Sequence, residues 1–188
     1  HGFLKNNTFA KILNFKAMKK SILLVFITLF LVSCGGKKKE DTTDAQVPDK
    51  LDKYSLIMDV IYEKDDSLAI VYKTAGYFQY EKPVSYAVKG SPELQRVVVD
   101  MPSGISVENF QITFSTNKEQ KNLTIKNISI KNDNVEVFNG DNLTYGTYFN
   151  PNPGFTWNQA GLNYKLNFDG QFPPGQTGNE QLEAILTK

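Results

Sequence analysis

The chain has 188 residues, of which 21 are basic and 20 are acidic, with one histidine and one cysteine. The histidine is His1, so histidine-dependent catalytic triads and histidine metal sites are excluded from everything that follows it. The near-neutral balance and a single arginine, Arg96, lack the basic footprint of nucleic-acid binding, and we expect no nucleic-acid partner.

The first 33 residues have the features of a secretion signal. They contain five lysines and no acidic residue, and they end in an apolar run of 13 residues from Ser21 to Ser33. A membrane-spanning helix needs about 20 apolar residues, so this run fits a signal peptide better than a permanent span. Met18, which precedes Lys19-Lys20, is the expected start, and residues 1–17 form an upstream segment.

The end of this run resembles the lipobox of bacterial lipoproteins. The residues that carry the resemblance are Leu31-Val32-Ser33-Cys34, an apolar residue and a small residue before a cysteine. The resemblance implies cleavage before Cys34, lipid attachment to its sulfur and a membrane as partner. Each buried methylene contributes about 0.8 kcal/mol, and stable anchoring takes two or more chains. After cleavage 16 basic and 20 acidic residues remain, so we expect a net charge of −4.

A second motif with the pattern of an export signal follows the cysteine. Lys39 stands directly before Glu40 and Asp41, which is similar to the surface-export signal of Bacteroidota lipoproteins. The resemblance implies lipid-anchored display on the outer face of the outer membrane. Residues 34–51 are otherwise rich in Gly, Lys, Asp and Thr, which favours a flexible linker. We therefore expect a folded domain over residues 52–188.

That domain has the pattern of an all-β protein. Apolar residues alternate with polar ones in short segments separated by Gly, Pro, Asn and Asp, which is typical of an antiparallel β-sandwich or barrel. We expect nine or ten strands in two stacked sheets, with a last segment that is either a strand over 182–186 or a short helix over 180–186. The predicted strands lie near 56–62, 68–73, 77–80, 84–88, 94–100, 110–114, 123–130, 135–137, 143–149 and 164–168.

Residues 88–128 also resemble jelly-roll modules of bacterial polysaccharide-handling proteins. The segment that carries this resemblance ends in Leu123-Thr124-Ile125-Lys126-Asn127-Ile128. The resemblance implies a jelly-roll-like sandwich and a carbohydrate ligand.

An aromatic stretch from Tyr145 to Trp157 contains the candidate ligand-binding residues. Aromatic planes pack against the C–H faces of sugars, and Asn and Gln amides hydrogen-bond hydroxyl groups. The alternative is that the rings close one end of the sandwich core. The candidates are Tyr145, Tyr148, Phe155, Trp157 and Asn158.

Acidic turn residues offer oxygen ligands for calcium. Asp133 and Asp141 are the candidates for a structural calcium ion, although both are also ordinary turn formers. We expect no other cofactor and no catalytic residue, because no nucleophile–base pair or phosphate-binding loop is present.

These observations favour a membrane-anchored, non-catalytic lipoprotein with a β-sandwich binding module, and glycan is the first ligand to consider. A second reading is an accessory subunit that docks a cell-envelope protein. A third is a glycosidase that uses two carboxylates.

Overall fold

The computed structural model describes residues 52–170 and 172–188. This part of the chain is an all-β sandwich of two antiparallel sheets with one short helix. The predicted Cys34 lipid site, the Lys39-Glu40-Asp41 signal and the two segments 1–33 and 34–51 lie outside the described residues.

The strands and the helix are short and follow one another closely. Their bounds are β1 Tyr54–Tyr62, β2 Asp66–Thr74, β3 Tyr77–Phe78, β4 Val84–Val88, β5 Gln95–Asp100, β6 Asn109–Thr113, β7 Asn122–Asn132, β8 Val135–Asn139, β9 Phe149–Pro151, β10 Phe155–Asn158, β11 Asn163–Leu166, β12 Gly175–Gly178 and α1 Glu180–Leu186.

The two sheets differ in strand order. The front sheet runs β10-β11-β7-β1-β5, and β8 also pairs with β7. The back sheet runs β3-β2-β6-β12-β9, and β4 also pairs with β2. Because β1 and β2 belong to different sheets, the short turn between them carries the chain across the sandwich.

The core forms where the alternating apolar side chains of both sheets meet. In β1 every second residue, from Tyr54 to Tyr62, is buried, and the residues between them are partly exposed. The same alternation in β6 buries Phe110 and Ile112 and turns Gln111 and Thr113 away from the front sheet. This is the period-two pattern that the sequence predicted.

A β-bulge explains an irregularity in the sequence of β7. Its apolar residues change phase between Ile125 and Ile128, which strict alternation does not allow. The pairing with β1 shifts there, because Asp59 faces Asn127 while Val60 faces Ile125. The extra residue, Lys126, restores the inward direction of the second half of the strand.

One predicted strand was wrong in type, and two observed strands were not predicted. Residues 143–149 form a turn and a 3₁₀ helix, Thr144–Thr147, before β9 begins, because Asn142 and Leu143 both adopt positive φ. The 155–158 segment forms strand β10, for which no strand was predicted. β12 was not predicted, because Gly175-Gln176-Thr177-Gly178 has no apolar alternation.

The last segment is the helix α1 and not a strand. Asn179 caps it, since its side-chain oxygen accepts hydrogen bonds from the backbone N–H groups of Gln181 and Leu182. Leu182 and Leu186, four residues apart on one face, are buried. Among residues 52–170 and 172–188, no helix is both long enough and apolar enough to cross a membrane.

Candidate binding sites

A groove runs over the outer face of the back sheet, on strands β6 and β12. Two cross-strand pairs form its floor, Gln111 with Thr177 and Thr113 with Gly175. The groove has a volume of about 410 Å³. A Cβ atom on Gly175 would overlap with the backbone carbonyl of Ile112, so only glycine allows β12 to approach β6 this closely. We call this feature the outer groove.

Two exposed aromatic side chains form the walls of the outer groove. Tyr80 is 62% exposed and Phe172 is 61% exposed, although aromatic rings are usually buried. The Tyr80 hydroxyl donates a hydrogen bond of 3.1 Å to Oε1 of Gln111. That bond uses the amide oxygen of Gln111 and leaves its N–H groups for a ligand.

The back sheet also has a concave region near the N-terminus of α1. A second depression of about 440 Å³ lies farther along the same two strands, between Phe78, Asn109 and Asn150. The rings of Phe78 and Tyr80 have centroids 5.9 Å apart. Aromatic rings and amide groups therefore line both depressions.

A second concave site, the Trp157 cleft, lies where β9 and the β10–β11 hairpin approach each other. Its volume is about 420 Å³. Tyr145, Phe149 and Tyr164 form a buried floor, and Trp157 forms a half-buried wall. Trp157 faces Tyr164 across the hairpin, and their rings meet edge to face at 5.1 Å.

Two strained leucines form the lips of the Trp157 cleft. Leu143 has φ 64° and Leu162 has φ 47°. Leu143 occupies a type I′ turn closed by the hydrogen bond from Thr144 N to Asp141 O, where Gly or Asn is usual. A leucine in this region costs about 1–2 kcal/mol, and both side chains are exposed, at 38% and 47%.

Two polar side chains of this cleft, Tyr145 and Trp157, have hydrogen-bond partners within the protein. The Tyr145 hydroxyl donates to the carbonyl of Ile125 at 3.2 Å. Nε1 of Trp157 donates to Oε1 of Gln159 at 2.9 Å. Burial raises the pKa of Tyr145, and the neighbouring Tyr164 raises it further, so the Tyr145 ring stays neutral. The cleft therefore presents mainly apolar surface.

The structure brings only two of the five predicted ligand-binding residues, Tyr145 and Trp157, to this cleft. Phe155 is buried in the core, stacked between Phe114 and Tyr164 at centroid distances of 4.8 and 4.1 Å. Its ring is therefore not presented to a ligand.

The other two predicted residues have structural partners elsewhere. Tyr148 packs edge to face on Phe138 at 4.9 Å. The side chain of Asn158 points to the opposite face of β10 from that of Trp157. Its Nδ2 donates a hydrogen bond to Oδ1 of Asn163, which closes the hairpin.

The two calcium candidates lie at opposite ends of β8. Asp133 is in the turn before that strand and Asp141 follows it, and a strand of five residues spans about 17 Å. The structure therefore does not bring these two carboxylates to one site. Among the described residues, no three His, Cys, Asp or Glu side chains are grouped to hold a metal ion.

Sequence reasoning missed the outer groove. The alternation of Phe110-Gln111-Ile112-Thr113 contained a signal, because it placed two polar side chains on one outward face. Tyr80 and Phe172 lie about 30 and 60 residues from Gln111 along the chain, and only the tertiary fold brings them together.

Comparisons of the chain with protein-family models, with curated proteins and with solved structures found no significant match.

Proposed function

We propose that this protein is a non-catalytic, lipid-anchored bacterial surface protein whose β-sandwich binds carbohydrate in the outer groove. The observation that carries the proposal is the pair of exposed rings, Tyr80 and Phe172, on either side of a floor of amide and hydroxyl groups. The lipobox at Cys34 and the Lys39-Glu40-Asp41 signal support the anchor and the surface location.

The chemistry of the groove suits a sugar. The rings offer flat apolar surfaces to the C–H faces of a pyranose. Gln111, Thr113 and Thr177 offer donors and acceptors to its hydroxyl groups. The side chain of Gln111 is already held by Tyr80, so little conformational entropy is lost when a ligand binds.

The length and charge of the groove narrow the ligand class. Because Phe78 continues the row of aromatic rings beyond Tyr80, we expect a linear oligosaccharide and not a single sugar. Glu180 lines the second depression, and its carboxylate disfavours acidic sugars. The expected ligand is a neutral glycan.

A glycan array probed with the full-length chain tests the proposal. Tyr80→Ala and Phe172→Ala each remove a stacking surface, and we expect each to weaken binding at least about tenfold, or ~1.4 kcal/mol. Tyr77→Ala is the matched control, because Tyr77 is 76% exposed and is not among the residues that line the groove. A blank array, or equal losses in all three variants, would refute carbohydrate binding at this groove.

One observation favours the second reading, an accessory subunit that docks a protein of the cell envelope. Strand β5 ends the front sheet in the described part of the chain, so its outer edge pairs with no strand there. Val98 on this strand is 43% exposed and Leu94 beside it is 55% exposed. An edge of this kind can accept a strand from a partner.

The third reading, a carboxylate-dependent glycosidase, has less support. A general acid of this class needs a raised pKa. In the part of the chain that the structure describes, the pKa values of Asp65 and Glu183 are lowered, chiefly by hydrogen bonds from Lys89 and Lys73 respectively.

A further inference from the structure

We propose that the Trp157 cleft is a second binding site, separate from the outer groove, that takes a small, uncharged and largely apolar molecule. The proposal rests on the strain at its lips, on the hydrogen bonds that Tyr145 and Trp157 make within the protein and on the size of the cleft.

In the free protein, the backbone strain of the two lip residues is not compensated by burial of their side chains. Leu143 and Leu162 both hold a backbone conformation that glycine or asparagine adopts more easily. Their side chains remain well exposed, so burial does not offset the strain. Strained residues concentrate at ligand sites, and these two line one cleft. A ligand between them would bury both side chains.

The lining determines the chemical class of the ligand. Tyr145 donates its hydroxyl hydrogen to a backbone carbonyl, and Trp157 donates its N–H to Gln159. A charged ligand would lose its hydration without gaining an opposite charge, which is costly. An apolar ring or chain would instead contact Trp157, Tyr164 and Phe149, and removing it from water would cost no favourable hydration.

The size of the cleft favours a small molecule over a protein partner. Small-molecule sites have volumes of about 300–1,000 Å³, and the cleft has about 420 Å³. A stable protein interface covers about 800 Å² on each partner, and a concave cleft between two loop lips does not provide such an area by itself.

The only tryptophan of the chain gives a direct readout. Trp157 is the sole Trp among the 188 residues, so energy transfer to a bound dye starts from this one residue, and loss of the transfer in variants of Leu143 and Leu162 assigns the dye to this cleft. The probe is N-phenyl-1-naphthylamine, which is uncharged and apolar, added to the full-length chain. We expect saturable energy transfer.

The matched variants are Leu143→Asn and Leu162→Asn. Asparagine fits the left-handed conformation, so the melting temperature should stay equal or rise. The lost apolar lip should weaken dye binding about tenfold. Tyr80→Ala should leave the energy transfer unchanged, so that failure of this proposal and failure of carbohydrate binding are distinguishable.

Three outcomes would overturn the proposal. They are no saturable transfer in the unmodified chain, transfer that both asparagine variants retain in full, and a change in Trp157 emission that a purified protein partner produces and the dye does not. The last outcome would assign the cleft to protein docking.

Discussion

Asp66 holds the corner at which the chain crosses between the sheets. Its carboxylate accepts hydrogen bonds from the Ser115 hydroxyl and from the backbone N–H groups of Ser67, Thr116 and Asn117. Asp66→Ala leaves these donors without an acceptor, and we expect a loss of about 3 kcal/mol of unfolding free energy. Urea denaturation followed by circular dichroism measures this loss.

Asp169→Ala is the control for this prediction. Asp169 is an exposed loop residue, so its replacement should change the unfolding free energy by less than about 0.5 kcal/mol. Equal effects of the two substitutions would show that the Asp66 network does not stabilise the corner.

For single residues, the sequence indicated which aromatic side chains could contact a ligand or belong to the core. It did not predict which of these two roles each side chain takes. Trp157 was left open between ligand contact and core, and it lies half-buried at the boundary between the two. Whether one ring is exposed depends on which loops pack around it, and no local pattern encodes that packing. Phe155 belongs to the core for the same reason, because it stacks between Tyr164 of the neighbouring strand and Phe114 of a distant part of the chain.

The helix α1 is fixed to the back sheet by an ion pair. Nζ of Lys73 on β2 contacts Oε1 of Glu183, and Nδ2 of Asn109 donates to Oε2 of Glu183 at 3.1 Å. The hydrogen bond from Lys73 and then that from Asn109 lower the pKa of Glu183 below its ordinary value of 4.5. The same pair raises the pKa of Lys73.

These shifts predict a pH dependence for the stability of this contact. Because the Glu183 pKa is lowered on folding, its contribution is present above its unfolded pKa and is lost as the pH falls through its folded pKa. The contribution of Lys73 is lost only when the pH rises through its raised pKa. Glu183→Gln should therefore lower the melting temperature at pH 7 and have a smaller effect as the pH falls below about 4.5.

Melting temperatures measured from pH 7 to pH 3 test this prediction. Glu119→Gln, at an exposed position, is the control and should follow the unmodified chain throughout. If Glu183→Gln ran parallel to the unmodified chain at every pH, the ion pair would not stabilise the attachment of α1.

Strands were predicted correctly wherever apolar and polar residues alternated regularly in the sequence. The period-two pattern located most of the strands from β1 to β8, but the bulge in β7 was not predicted. β12 was missed because its residues pair through the backbone without an apolar face. The turn at Asn142-Leu143 was missed because leucine rarely adopts positive φ, and the same turn forms one lip of the Trp157 cleft.

For the domain as a whole, the fold class could be predicted from the sequence, whereas the outer groove could not. Alternating strands specify a sandwich because each must bury one face. The outer groove depends on which loops extend over the outward face of the back sheet. That arrangement is set by tertiary contacts, such as the bond from Asn152 Nδ2 to Pro173 O at 2.8 Å.

The proposed anchor predicts a specific product in the native host. The mature chain should begin at Cys34 and carry acyl chains that add mass to the polypeptide. Intact-mass spectrometry of the membrane fraction measures this. Cys34→Ala should abolish the lipid and leave the leader uncleaved, whereas a free thiol in the unmodified protein, with its leader intact, would contradict the anchor.

The central claim is that a neutral oligosaccharide binds across β6 and β12. The most direct measurement is a ¹H–¹⁵N NMR titration of the full-length chain with the best ligand from the glycan array. The account predicts saturable shifts of the backbone amides of Gln111, Gly175 and Thr177 and of the side-chain amide of Gln111, with the indole N–H of Trp157 unchanged. Shifts confined to Trp157 and its neighbours, or no saturable shift at all, would contradict it.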